Sequence, residues 1–181
     1  MLAIATGVFA MLAVQSRREA GLGGTANARP VPIREMPAER LELLARIEPP
    51  EYRGPAPEDA QSSREFRAAL ERYVNRDYAG AVPSLRAVGA QGLPESIEAR
   101  FYLAICLLVT NDRPNGILEL YAVISAGETS YLEAARFYLA KALLGSGNIV
   151  GAEQQLRKAI EMHGKLEKEA EALHAQIVPG H

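Results

Sequence analysis

The hexapeptide "ARFYLA" occurs twice in this chain, at residues 99–104 and again at residues 135–140. The two copies are 36 residues apart. Extending them aligns "ARFYLAICLLVTNDRPNGILELYAVIS" (99–125) with "ARFYLAKALLGSGNIVGAEQQLRKAIE" (135–161) without a gap. A weaker first copy, "FRAALERYVNRDYAGAVPSLRAV" (66–88), precedes them at an offset of 35 residues. The sequence therefore predicts an array of similar units.

Each unit has the pattern of two helices joined by a short polar turn. Helices whose axes cross about 8–10 Å apart need small side chains at the point of closest approach. A small residue accordingly recurs midway along the first helix, another recurs early in the second helix, and a large apolar residue follows it. The small residue of the first helix is Ala69, Ala104 or Ala140. The small residue of the second helix is Ala81, Gly116 or Ala152, and the large apolar residue after it is Leu85, Leu120 or Leu156. A single helical pair cannot bury its apolar surface, so the units are expected to stack.

A period near 34 residues with two helices per unit is typical of the tetratricopeptide repeat, and the aligned residues resemble that family. The turn between the helices, which is of G-D-Y type in the family, reads "RDY" (76–78), "NDR" (111–113) and "GNI" (147–149). The chain departs from the family at the start of the first helix, where the usual Trp is missing. That position holds Glu65, Arg100 and Arg136.

The resemblance implies an all-α solenoid of about three repeats within a domain at residues 63–178. The repeats are predicted at residues 63–94, 95–130 and 131–164. The last stretch, "KLEKEAEALHAQI" (165–177), predicts a C-terminal capping helix that covers the final repeat and turns a polar face to water. Pro83 falls inside a second helix, where its missing N–H is expected to weaken or bend the first turn.

The N-terminus begins with an apolar run, "LAIATGVFAMLAV" (2–14), which Arg17 and Arg18 follow. As a helix this segment would span about 22 Å, which is short of the roughly 30 Å of a bilayer core. Residues 1–16 are assigned as a membrane helix or a signal segment, and membrane attachment is favoured. A cleaved signal peptide and a membrane helix that begins upstream of Met1 stay open as alternatives.

Residues 17–62 are predicted to be a linker, because most of the prolines and a cluster of glycines fall there. Proline removes a backbone donor and favours extended structure, so this linker is expected to be semi-stiff. "AERLELLARIE" (38–48) is an exception, since Leu41, Leu44 and Ile47 share one helical face. This short helix either docks on the following domain or forms only transiently.

The layout as a whole resembles bacterial proteins in which an anti-sigma-factor-type zinc finger precedes one membrane helix, a proline-rich spacer and tetratricopeptide repeats. The resemblance is carried by the apolar run and by "ARIEPPEYRGP" (45–55), "YVNRDYAGAVPSLRA" (73–87) and "YLEAARFYLAKALL" (131–144). With one cysteine and three histidines the chain cannot assemble the zinc finger, so regulation of a sigma factor is not carried over. The resemblance implies an extracytoplasmic, periplasmic repeat domain, whereas two arginines after the run favour the cytoplasmic side; we favour the former.

Composition and motifs argue against other functional classes. The net charge of −2 and the pI near 6.0 lack the basic surface of a nucleic-acid-binding protein. Motifs of metalloproteases, serine hydrolases and P-loop proteins are missing. "GSGNIVG" (145–151) follows a helix rather than a strand and is interpreted as a turn. Cys106 is expected to be a buried apolar residue. No catalytic, cofactor-binding or metal-binding residue is predicted, and the protein is not predicted to be an enzyme.

A binding surface is the remaining functional feature. By resemblance, the first helices of the repeats line a concave groove that binds a protein or peptide partner. The candidate groove residues are Phe66, Tyr73, Phe101, Leu108, Phe137, Lys141 and Leu144. Recurring aromatic residues would also suit the core between repeats. The predicted function is a membrane-tethered interaction module or scaffold; the alternative is the sensor or regulatory half of an anti-sigma-like membrane regulator that lacks its zinc finger.

Overall fold

The computed structural model describes residues 36–52, 63–92 and 95–178. Within these ranges the regular secondary structure is entirely α-helical, which confirms the predicted all-α class for this part of the chain. Its helices are α1 (Ala38–Ala45), α2 (Arg64–Val74), α3 (Tyr78–Gly89), α4 (Ser96–Val109), α5 (Arg113–Ser125), α6 (Leu132–Gly145), α7 (Ile149–Ile160) and α8 (Glu167–Ile177).

The predicted membrane or signal segment at residues 1–16 lies outside the described residues. So do residues 17–35 and 53–62 of the predicted linker. Among the helices of the described part, none has the length and apolar character that crossing a bilayer requires.

Helices α2 to α8 pack on one another in chain order. They form three antiparallel hairpins, α2–α3, α4–α5 and α6–α7, and α8 packs on the last of these. Helices α2 and α6 each also touch α4, so the first helices of the three hairpins lie side by side. We call their shared surface the first-helix face. This arrangement is that of a helical-repeat solenoid, in which each hairpin covers its neighbour.

The backbone repeats itself most clearly at the turns. Three turns inside the hairpins each contain one residue with a positive φ, at Arg76 (63°), Asn111 (67°) and Gly147 (75°). The turns that follow the three hairpins do the same at Gly92 (68°), Gly127 (86°) and His163 (50°). Both series advance by 35 and then 36 residues, which are the offsets of the sequence alignment. The repeated sequence therefore specifies a repeated backbone.

Small residues lie where the paired helices approach, as the sequence predicted. The alanines at these positions are fully buried: Ala69, Ala81, Ala104, Ala140 and Ala152 are each 0% exposed. In the middle hairpin a Cβ added to Gly116 would come within 2.8 Å of the Leu108 side chain. The large apolar residues Leu85, Leu120 and Leu156 are also 0% exposed, so they fill the space around each crossing.

Arginine side chains near the start of α4 and α6 join the two helices of the second and third hairpins. The Arg100 guanidinium donates to the Glu119 carboxylate at 2.8 Å, which joins α4 to α5. The equivalent Arg136 donates to the Gln155 side-chain oxygen at 3.1 Å, which joins α6 to α7. Helix α3 continues through Pro83 without interruption; the proline ring is exposed, and the helix retains the bonds of its other residues.

Helix α1 is the exception to packing in chain order, because it packs on α6. Ala45 is 7% exposed, and Leu41, Leu44 and Ile47 pack against the core of the repeats. The apolar face predicted for residues 38–48 is therefore used for docking. The helix itself ends earlier than predicted, at Ala45, because proline at position 49 disfavours helical backbone in the residue before it.

Candidate functional site

The first-helix face is rich in aromatic side chains that touch one another. The Tyr73 ring from α2 lies 4.8 Å, centroid to centroid, from the Tyr102 ring of α4. Phe101 in turn lies 5.0 Å from Tyr131 and 6.0 Å from Tyr138. Most of these pairs are edge-to-face, the geometry that the charge distribution of aromatic rings favours. A continuous aromatic surface thus runs across all three first helices.

Residues 46–52, "RIEPPEY", lie on this aromatic surface, and we call them the strap. Two consecutive prolines keep the strap out of the helix and favour an extended backbone. The Tyr73 hydroxyl donates to the Pro50 carbonyl oxygen at 2.7 Å. The Tyr138 hydroxyl donates to the Glu48 carbonyl oxygen at 3.0 Å. The strap is therefore attached to the first and the third hairpin through its own backbone.

An aromatic contact attaches the strap to the middle hairpin. The Tyr52 ring meets the Tyr102 ring edge-to-face, with 5.7 Å between centroids. Burial raises the pKa of Tyr73 well above its ordinary value and raises the pKa of Tyr138 to about 12. Both hydroxyls consequently keep their protons over the physiological range and remain hydrogen-bond donors to the strap.

Lys141 supplies a positive charge at the Glu48 end of the strap. Its ammonium nitrogen is 5.6 Å from the centroid of the Phe137 ring, a cation–π distance. Burial lowers the Lys141 pKa, and the Glu48 carboxylate acts in the opposite direction. An acidic residue at position 48 of the strap is thus electrostatically favoured by the face beneath it.

Glu98 on α4 is a carboxylate among the tyrosines. Burial raises the pKa of Glu98, while a hydrogen bond from Tyr131 opposes this shift. Its charge in turn contributes to the raised pKa values of Tyr52, Tyr102 and Tyr131. The centre of the first-helix face is therefore partly desolvated, and the Glu98 carboxyl group there ionises less readily than one in water.

Open space remains on both sides of the strap. A cleft of about 680 Å³ separates its Pro50 and Glu51 from α6 and the start of α8. A second cleft of about 660 Å³ lies between the strap and the end of α2, near Tyr73 and Tyr78. The strap therefore covers the aromatic surface without filling the space around it.

The predicted groove residues divide between the core and the face. Phe66 is 2% exposed and Leu144 is 0% exposed, so these side chains pack inside the array. Tyr73 hydrogen-bonds the strap, and the Lys141 ammonium group lies over the Phe137 ring. The others are also largely buried: Phe101 is 2% exposed, and Leu108 and Phe137 are each 9% exposed. Phe101 lines the larger cleft. Whether these residues bind a partner stays a prediction.

Two tyrosines that contact the strap were missing from the predicted set, namely Tyr102 and Tyr138. They occupy the same position in the two copies of "ARFYLA". The preceding Phe and this Tyr are equally repeated. An identical polar aromatic residue in both copies was the signal, since the core alone does not require its hydroxyl group.

The cysteine and the histidine and carboxylate side chains of the described residues have ordinary structural surroundings. The Cys106 thiol is 0% exposed, and burial raises its pKa to about 12, which disfavours the reactive thiolate. Among residues 36–52, 63–92 and 95–178 no group of three His, Cys, Asp or Glu side chains is arranged to hold a metal ion. His163 hydrogen-bonds Glu167 at 2.8 Å on the surface.

No protein-family model, no curated protein and no solved structure matches this chain.

Proposed function

We propose that this chain is a tetratricopeptide-repeat interaction module that binds an extended segment of a partner protein on its first-helix face. The observation that carries the proposal is the strap, an extended peptide seated across α2, α4 and α6 by tyrosine hydroxyls and an aromatic contact. A face that accepts one extended peptide has the donors and the aromatic surface to accept another. The repeated turns, at offsets of 35 and 36 residues, support assigning the hairpins as three tetratricopeptide repeats.

The proposed module is tethered to a membrane through the apolar run at residues 2–14, with its repeats on the extracytoplasmic side. The run and the proline-rich sequence after it support the tether, and the extracytoplasmic side is proposed from the resemblance in layout. Its test is the intact mass of the native protein from membrane and soluble fractions. A membrane species that retains residues 2–14 supports the tether, and a soluble species that lacks them contradicts it.

A site-specific photocrosslink tests the binding face. A photoreactive amino acid replaces Ser130, which is exposed and lines the larger cleft. The matched control carries the same amino acid at Leu118 on α5, which is 63% exposed and distant from the cleft lining. We expect one discrete adduct from position 130, mapped by mass spectrometry to a single segment of the partner, and none from position 118. Equal adducts from both positions, or none from position 130, would contradict the proposal.

A further inference from the structure

We propose that the strap is an exchangeable internal ligand, and that the partner segment which replaces it has the same chemistry: an extended peptide with an acidic residue, two prolines and a nearby aromatic residue. This inference depends on the proposed function and specifies its ligand. It follows from how the strap is bound, how shallowly it sits and how little of the surrounding space it fills.

The contacts define what the face recognises. Both tyrosine hydroxyls donate to backbone carbonyl oxygens, at Glu48 and Pro50, so they require an extended backbone at these positions and tolerate any side chain. Prolines supply such a backbone at low entropic cost. Lys141 lies on α6 three residues after Tyr138, whose hydroxyl binds the Glu48 carbonyl oxygen, so its positive charge is near position 48 and suits an acidic residue there. The Tyr102 ring contacts the Tyr52 ring edge-to-face.

The strap is bound in a way that permits exchange. Glu48 and Glu51 are exposed, and Pro49, Pro50 and Tyr52 are only half-buried. Clefts of about 680 Å³ and 660 Å³ adjoin it, whereas permanent core segments are close-packed. The crossing residues Ala69, Ala104 and Ala140 lie between the paired helices, so release of the strap uncovers the tyrosines beneath it and leaves the helix crossings packed.

The strap belongs to the same chain, so it competes with any partner at a high local concentration. A short tether typically gives an effective concentration on the order of 1 mM. A partner present at a lower concentration binds only to the fraction of molecules from which the strap has dissociated, which reduces its apparent affinity by that fraction. A partner therefore binds only if its affinity for the first-helix face equals or exceeds that of the strap, and this favours partners whose sequence matches the strap.

The test uses a fluorescent synthetic peptide of residues 44–52, LARIEPPEY, and full-length protein. A strap-release variant combines Pro49→Gly, Pro50→Gly and Tyr52→Ala, which remove the extended bias and the ring contact without changing the face. A control variant combines Glu39→Ala and Arg40→Ala, two exposed residues of α1. Fluorescence anisotropy is expected to show at least about tenfold tighter binding by the release variant than by the wild type or the control, and no binding of a scrambled peptide.

Nuclear magnetic resonance of the isotope-labelled wild-type chain provides a second measurement that needs no variant. Excess unlabelled LARIEPPEY is expected to move the amide signals of residues 47, 48, 51 and 52 to the positions of an unstructured chain, while the signals of α2, α4 and α6 keep their folded pattern. A folded release variant that binds no more tightly than the wild type would overturn the inference. Peptide binding that leaves the strap amides unchanged would also overturn it, but the proposed function would survive if position 130 still crosslinks to a partner.

Discussion

Each hairpin turns through one residue with a left-handed backbone, and the three residues at this position differ in how well they tolerate it. Gly147, at φ 75°, pays no steric penalty, whereas Asn111 and Arg76 adopt similar angles with a Cβ. A Cβ added to Gly147 would meet no atom within 4 Å. Any loss of stability caused by a side chain at position 147 is consequently due to the backbone angle alone.

Gly147→Ala is therefore expected to lower the free energy of unfolding by about 1 kcal/mol, because alanine disfavours positive φ without gaining a contact. Gly147→Asn is the matched variant, since asparagine occupies the equivalent position 111 and tolerates this backbone better. Urea unfolding followed by circular dichroism measures both. Equal losses for Ala and Asn would show that backbone angle is not the cause.

Glu98 gives the face a dependence on pH. Because burial raises its folded-state pKa above the ordinary 4.5, the protonated form is favoured by folding. Stability contributed by this group is present below that ordinary value and is lost as the pH rises through the raised folded value. Glutamine resembles the protonated form at every pH and keeps an oxygen that can accept from Tyr131.

We expect Glu98→Gln to raise the melting temperature at about pH 7 and to change it little below about pH 4. Glu95→Gln is the control, and it is expected to lower the melting temperature at about pH 7. Hydrogen bonds from backbone N–H groups, its own and that of Ser63, lower the Glu95 pKa. Its carboxylate contributes stability above the ordinary pKa that is lost as the pH falls. Melting curves recorded across this pH range check the direction of both changes in melting temperature. A stabilisation by Glu98→Gln that persists at low pH would contradict the assignment.

At the scale of helices, the sequence predicted much of the array and little of what lies on it. Small residues at helix crossings and polar turns recur at a fixed offset, and these are local requirements of each hairpin. The position of the strap depends instead on a pairing between distant segments: the bond from Tyr138 to Glu48 joins residues 90 positions apart. No periodicity reports such a pairing, so "IEPPEY" was assigned to a linker.

Helix α1 shows the same limit. Its apolar face left open whether the helix docks or forms only transiently, and nothing in residues 38–48 specifies α6 as the helix on which it packs. Leu44 packs against the core, whereas its neighbour Leu43 is 70% exposed. Adjacent leucines in one short helix thus differ only in whether they contact the repeats.

Leu44→Ala is expected to lower the free energy of unfolding by about 1–2 kcal/mol, because part of a packed side chain is lost. Leu43→Ala is the matched control and should change it by less than about 0.5 kcal/mol. Chemical denaturation of both variants provides the comparison. Equal effects would mean that α1 is not docked on α6 as described.

The strap changes how the whole array is connected. In a helical solenoid each hairpin contacts only its neighbours, and stability is approximately a sum of local terms. Here the strap bonds to Tyr73 in the first hairpin and to Tyr138 in the third. It therefore couples hairpins that barely touch, and its release would loosen that coupling and uncover the tyrosines that it contacts.

This coupling predicts that the two hydroxyls do not act independently. Tyr73→Phe and Tyr138→Phe are each expected to cost about 1 kcal/mol, since each removes one hydrogen bond and leaves the ring in place. The double variant is expected to cost less than their sum, because the total loss cannot exceed the free energy with which the strap docks.

Tyr121→Phe, at a residue that is 43% exposed on α5, is the control and should be neutral. Urea unfolding of the four variants gives the coupling energy directly. Strict additivity would mean that the strap does not detach as a unit, and a cost at Tyr121 equal to the others would mean that the hydroxyl bonds to the strap do not stabilise the fold.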